Sequence, residues 1–324
     1  MSTVDRFEAP AHLRNAHLQT ILNSQGPRRW RARGLRRNLR SEALILTAAD
    51  GTRLSAQLDR ARGESASSLV VMIHGWEGSN TSSYMITTAA RLLAQGHDVL
   101  RLNLRDHGDS HHLNRELFNS TRSPEVASAL AGFLREKSYH DNHLVGFSLG
   151  GSFALRIAAD TGQDLGLSTC VAICPPVDPA RVMQALNTGF FVYERYFFRR
   201  WRSSLQRKLE FFPELGYAED LARARSLDDL NELFVPQYTA YDRVEDYFRA
   251  YSLYDERLAG LAVPTHIIAS HDDPIIPADD FARITPNPCL HIDISPHGGH
   301  CGFIETLGAR SWVEARIGEI LSPA

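Results

Sequence analysis

The chain has 324 residues, 43% hydrophobic and 23% charged, with a formal charge of −3. These values describe an ordinary globular protein large enough to bury one sizeable core with an insertion, and they give no overall pull toward nucleic acid. No stretch approaches the roughly 20 apolar residues that span a bilayer, and Met1–Pro10 carries Asp5 and Glu8 with no apolar run, unlike a secretory leader; a cytoplasmic location is expected.

Residues 1–41 read as an N-terminal extension. Its one dense basic run, 28–40, holds seven arginines. An anionic membrane surface or nucleic acid could bind there, but it reads as a solvated connector, because the rest of the chain has no matching basic composition. The pattern then alternates. Glu42–Thr47 and Arg53–Leu58 are expected strands around the turn Asp50-Gly51. Leu69–Ile73 is continuously apolar, as suits a strand buried on both faces of a parallel sheet. A helix over 82–95 follows, then a strand at Asp98–Leu104, a helix over 124–137, a strand at Asn142–Phe147, a helix over 149–160 and a strand at Thr169–Cys174. Thr265–Ser270 and Cys289–Ile294 are later strands flanking a short helix at 278–284, and 303–320 is the expected last helix.

Strand–helix alternation predicts an α/β fold: a mostly parallel sheet of about eight strands, covered by helices on both faces. The core is expected over 42–177 and 256–324. Residues 178–255 break the alternation and mix aromatics with arginines, as in Phe190–Trp201. They read as a helical cap inserted between two strands. Such aromatics can line an acyl pocket, rest on a lipid surface, or simply fix the cap to the core.

The chemistry concentrates where strands end. Gly146-Phe147-Ser148-Leu149-Gly150 sits between a strand and a helix. Flanking glycines leave room for a sharp turn that pushes the Ser148 hydroxyl out over the sheet, and the following helix aims N–H groups at the same spot. A serine hydroxyl needs a base in reach, and the base needs an orienting acid. Downstream, Ser270-His271-Asp272-Asp273-Pro274 closes one strand and His297-Gly298-Gly299-His300-Cys301 follows another. The order Ser, acid, His fits this fold. Asp273 is preferred to Asp272 because the acid commonly opens a D-P-x-V-P-like run. His300 is preferred to His297 because it directly precedes the segment expected to form the last helix. An oxyanion would be held by the backbone N–H groups of Leu149 and of Trp76, the latter in His74-Gly75-Trp76-Glu77-Gly78. His74 reads as a brace for that loop. The polar loop Asn103–His112 reads as structural support rather than a metal site. The cysteines, Cys170, Cys174, Cys289 and Cys301, match neither a disulfide framework nor a usual zinc spacing, and Cys301 is expected near the site without acting in it.

Taken together, these motifs resemble the α/β-hydrolase superfamily along nearly all of 40–320. More narrowly, the chain resembles the AB hydrolase-4 family, which includes bacterial esterases and eukaryotic acylglycerol lipases or ester synthases. The narrow resemblance rests on Leu13-Arg14-Asn15-Ala16-His17-Leu18-Gln19-Thr20, similar to that family's L-x-N-x-H-x-Q-T signature, together with the loops at 74–79, 146–151, 272–274 and 297–303. It implies Ser148, Asp273 and His300 as a triad and ester hydrolysis as the reaction. The loop Arg105-Asp106-His107-Gly108-Asp109-Ser110 departs from the arginine-glycine-cysteine-like stretch the family often has, which leaves substrate preference open.

The expected function is therefore a cofactor-free serine esterase acting on short- to medium-chain acyl esters, with peripheral lipid contact through the cap or the basic segment as an open option. A thioesterase, an alcohol acyltransferase or a peptidase would use the same residues. A non-catalytic receptor or scaffold is the rival of another class, and such proteins usually lose a triad member. Nothing in the sequence sets an oligomeric state.

Overall fold

The computed structural model describes residues 6–62 and 66–322; half of the stretch read for a leader, residues 1–5, lies outside them. Eight strands form one sheet: β1 Ser41–Thr47, β2 Arg53–Asp59, β3 Ser68–Ile73, β4 Asp98–Leu102, β5 Asp141–Phe147, β6 Leu167–Ile173, β7 Thr265–Ser270 and β8 Leu290–Ser295. Their spatial order is β1-β2-β4-β3-β5-β6-β7-β8. The β1–β2 and β2–β4 pairs are antiparallel, and every later pair is parallel. β3, apolar at five consecutive positions, is buried along its whole length, as a central strand covered on both faces must be.

Helices α1 Ala16–Ser24, α2 Pro27–Arg36, α3 Ser83–Ala94, α4 Ser123–Arg135 and α5 Leu149–Thr161 precede the interruption of the sheet. Between β6 and β7 lie α6 Pro179–Thr188, α7 Phe191–Phe211, α8 Ala218–Arg223, α9 Leu227–Tyr238 and α10 Val244–Ala250. The last helix is α11 Trp312–Leu321. Two apolar clusters pack on the sheet. The larger draws on α4, α5 and the helices after β6; the smaller draws on α3, α11 and Phe7. No described helix is long and apolar enough to cross a membrane.

Two expectations need correction. Residues 28–40 are not a solvated connector. Most of the run is α2, opened by Pro27 at a position that needs no N–H. Arg28, only 1% exposed, donates to Glu314 at 3.0 Å, to Asn23 and to Thr87. Arg31 grips the same Glu314 carboxylate with two nitrogens, so two arginines of the run anchor the N-terminal helices to α11, while Arg29, Arg33, Arg36 and Arg37 remain exposed. The last helix also starts nine residues later than expected. Phe303 and Ala309 take φ of +47° and +55°, and Ile304 bridges to Ser311 instead of entering a helix. The other elements match their expected positions to within two residues, the usual uncertainty of an end.

Candidate active site

Ser148 stands at φ +52°, ψ −123°, between β5 and α5. A side chain pays steric strain in that region, and the neighbours hold it there. Ser148 N–H donates to the Ile173 carbonyl at 2.7 Å, and its own carbonyl accepts from Gly151 and Ser152. The glycines are needed for space. A Cβ at Gly146 would collide with the Gly150 carbonyl, and one at Gly150 would collide with the carbonyls of Ile73 and His74.

The Ser148 hydroxyl lies 2.9 Å from His300 Nε2, and His300 Nδ1 lies 2.8 Å from Asp273 Oδ2. These partners assign the tautomer: Nδ1–H donates to Asp273, and Nε2 accepts from the serine. The other Asp273 oxygen accepts the N–H groups of Ile275 and Ile276 at 2.8 and 2.9 Å, which turns Oδ2 toward the histidine. Burial by itself would lower the His300 pKa, but Asp273 and, beside it, Cys301 outweigh that and hold it well above the usual histidine value. Asp272 and His297, the unchosen pair, meet each other instead. Asp272 Oδ2 is 3.3 Å from His297 Nδ1, and Oδ1 accepts from Gly299 N–H at 2.9 Å. Both brace the loop that carries His300.

The loop after β3 passes close to the serine. A Cβ at Gly75 would stand 3.1 Å from Ser148 Cβ. Among the described residues, neither Trp76 N–H nor Leu149 N–H has a hydrogen-bond acceptor. His74 braces this loop as expected. Its Nδ1–H donates to the Gly75 carbonyl at 2.8 Å, and its Nε2 accepts from Leu104 N–H at 3.2 Å. Burial drops its pKa to about 3, so it stays neutral. The Trp76 ring stacks on Phe197 of α7 at 5.1 Å and meets Trp201 edge-on, while Arg200 donates to the Glu77 carbonyl at 2.6 Å. Helix α7 thus fastens the loop after β3. Beside Ser148 opens a cavity of about 90 Å³, lined chiefly by Trp76, Met183, Leu186, Phe197, Trp201 and Ile276.

The polar loop after β4 spends its side chains on structure. Asp106 accepts from Lys208 Nζ at 2.7 Å and from Phe118 N–H, and the Arg105 guanidinium grips Glu125 with two nitrogens. The one metal-sized cluster among the described residues is Cys174, His300 and Cys301, with ligand atoms within 4.8 Å of one another. Both nitrogens of the His300 ring already face Asp273 and Ser148. An ion there would have to displace one of them. The thiols instead bond locally: Cys301 N–H donates to Cys174 Sγ at 3.3 Å, and Cys301 Sγ to the Ile173 carbonyl.

Sequence reasoning missed the support beneath His300. Thr20 Oγ1 accepts from His300 N–H at 2.9 Å. Gln19, fully buried, donates to the carbonyls of Leu13 and Ile304 and accepts from Ile304 N–H at 2.6 Å. A Cβ at Gly299 or Gly302 would press into the α1 backbone. Asn15 caps α1 through Leu18 N–H, and His17 Nδ1 meets Tyr193 Oη at 2.9 Å. The Asn15-x-His17-x-Gln19-Thr20 pattern was the available signal: its polar residues do structural work around the histidine loop.

Residues 70–309 match the alpha/beta hydrolase family. The chain belongs to the alpha/beta hydrolase family. It is 28% identical over 322 residues to an Escherichia coli protein named "Putative esterase YheT", covering 95% of this chain and 90% of that one. It is 25% identical over 286 residues to medium-chain fatty acid ethyl ester synthase/esterase 2 of Saccharomyces cerevisiae, covering 78% of this chain and 62% of that relative's length. Among solved structures, the esterase Pf2001 of Pyrococcus furiosus shares the fold with a TM-score of 0.58 at 16% identity, over 89% of this chain and 94% of that one.

Proposed function

We propose that this member of the hydrolase family is a serine carboxylic-ester hydrolase working through Ser148, His300 and Asp273. The observation that carries the reading is the unbroken hydrogen-bond chain from Asp273 through His300 to the Ser148 hydroxyl. His300 takes the serine proton as Ser148 attacks the ester carbonyl. The negative oxygen that forms is stabilised by the two N–H groups left without acceptors, those of Trp76 and Leu149. His300 then protonates the departing alcohol, Ser148 holds the acyl group as an ester, and water activated by the same histidine releases the acid. The apolar lining of the cavity suits a short- to medium-length acyl chain. Asp273 orients the ring of His300 and stabilises the imidazolium.

The test pairs a fluorophosphonate probe with a p-nitrophenyl ester series on wild type and Ser148→Ala. Wild type is expected to label and to turn over at least one acyl length, and the variant to do neither. Turnover that survives in the variant, or a wild type inert to both, would overturn the reading. Adding ethanol to the reaction separates the acceptors: ethyl ester formed at the expense of free acid would identify an acyltransferase, in keeping with the synthase/esterase name of the yeast relative.

A further inference from the structure

Helix α7 has two unlike faces. At 100° per residue, Tyr193, Phe197, Trp201, Ser204 and Lys208 share one side. That side is fastened down: Phe197 and Trp201 on Trp76, Ser204 on His111, Lys208 on Asp106. On the opposite side, Phe191, Arg195, Phe198, Arg199 and Arg202 line a groove of about 590 Å³, with Arg225 across from them. This groove is separate from the cavity at Ser148, with no lining residue in common.

The arginines of the groove, Arg195, Arg199, Arg202 and Arg225, have no ion-pair partner among the described residues, and Arg202 Nε is buried without a hydrogen-bond partner. The one acid in the lining, Glu194, is turned to the first N–H of α9. A chain of net charge −3 thus gathers four guanidinium groups in one groove. Beside them the helix exposes large apolar side chains: Phe190, Phe191 (66% exposed), Val192 and Tyr196. The apolar edge continues onto α1. Phe190 lies 5.0 Å from the His17 ring, and Ile21, one turn on from His17, is also exposed.

We propose that this face docks on an anionic phospholipid surface, with lipid phosphates in the arginine groove and the aromatic edge of α7 in the headgroup layer. Guanidinium forks match phosphate oxygens with paired hydrogen bonds. An interfacial element needs this combination of cationic and aromatic side chains on one face. A soluble anion would account for the arginines but not for the bare aromatic edge beside them. The same edge adjoins the active site, because His17 and Thr20 sit on one helix and Thr20 holds the His300 backbone. Docking therefore places α1, which holds the His300 loop, beside the lipid surface.

Flotation with vesicles tests this on the full chain. Wild type is expected to float with phosphatidylcholine vesicles containing about one-third phosphatidylglycerol, not with phosphatidylcholine alone, and to be released at high salt. Replacing Arg195, Arg199 and Arg202 together by Gln should weaken binding about a hundredfold, at roughly fivefold per guanidinium. Phe191→Ser should weaken it about tenfold. Turnover of a short soluble ester by these variants should match wild type and shows that they are folded. Ser148→Ala should float like wild type, so flotation can succeed or fail independently of the hydrolase reading. Equal binding to both vesicle types, or undiminished binding by the triple variant, overturns the proposal. So does capture of a labelled oligonucleotide by a protein that ignores vesicles.

Discussion

Ser148 and His300 meet at 2.9 Å, but the chain brings them there by opposite means. The serine is set by its own neighbours. Gly146 and Gly150 lie within two residues of it, and the bond from Ser148 N–H to Ile173 joins adjacent strands of one sheet. The histidine is set by distant ones. Its backbone is held by Thr20, 280 residues away, its ring by Asp273, and its loop by Asp272 and by Gln19 through Ile304. A turn fixed by backbone sterics is most sensitive at its glycines. A loop fixed by side-chain hydrogen bonds can be loosened from several remote positions without touching a reacting atom.

On the proposed mechanism, the largest effects are expected at Ser148 and Asp273. Ser148→Ala should lower kcat/KM by about 10⁴-fold or more. Asp273→Asn should cost about 10⁴-fold in kcat, because Asn cannot hold the same tautomer of His300. The base must be neutral, so kcat/KM should rise with pH through the His300 pKa, at a limb above the ordinary histidine value of about 6.5. Removing the Asp273 charge should move any residual limb to lower pH, because burial is then opposed only by Cys301. A limb that stays in place in Asp273→Asn would mean that Asp273 is not the group that chiefly raises the histidine.

Gly150→Ala probes the local side of the comparison. The added methyl would collide with two backbone carbonyls of β3 and its following loop, a strain that neighbouring backbone relieves poorly. We expect a loss of about 3 kcal/mol of stability or more in chemical denaturation. A variant as stable as wild type would show that the elbow is looser than its contacts imply.

The remote side is probed by α1. Gln19→Ala removes three hydrogen bonds from a fully buried site and leaves the Ile304 amide without its acceptor; about 2–3 kcal/mol of stability should be lost. Thr20→Val keeps the shape but strands the His300 N–H. Its expected cost is about tenfold in kcat with little change in KM, together with a shift of the pH limb that a purely structural lesion would not produce. A normal limb with only a lowered melting temperature would reduce α1 to a scaffold.

This division also explains what could be read from the sequence. The strands, the helices around them and the elbow follow from local patterns: apolar runs, spaced glycines, a strand leading into a helix. Asp273 and His300 both stand just after strands, and each has a neighbour of the same chemistry. What distinguishes Asp273 is that Ile275 and Ile276 occupy one of its oxygens and aim the other, a matter of backbone direction. The N-terminal helices resisted reading because their anchors are far away in the chain. Seven arginines in thirteen residues look solvated until Arg28 finds Glu314, 286 residues on. Likewise Phe303–Ser311 has helix-compatible composition, yet Phe303 and Ala309 take left-handed backbone and Ile304 turns to meet Gln19.

The smallest expected effect is at Asp272, and it tests the distinction between neighbouring acids most closely. Its carboxylate meets His297 and Gly299 N–H rather than His300. Asp272→Asn keeps an oxygen for the Gly299 amide, so the loop should hold and kcat should fall by less than about tenfold. The pH limb should not move, because the charge beside the His300 ring is that of Asp273. A loss near that of Asp273→Asn would mean the two acids exchange partners during turnover. In that case the neat separation of an acid that orients the base from an acid that braces its loop would fail.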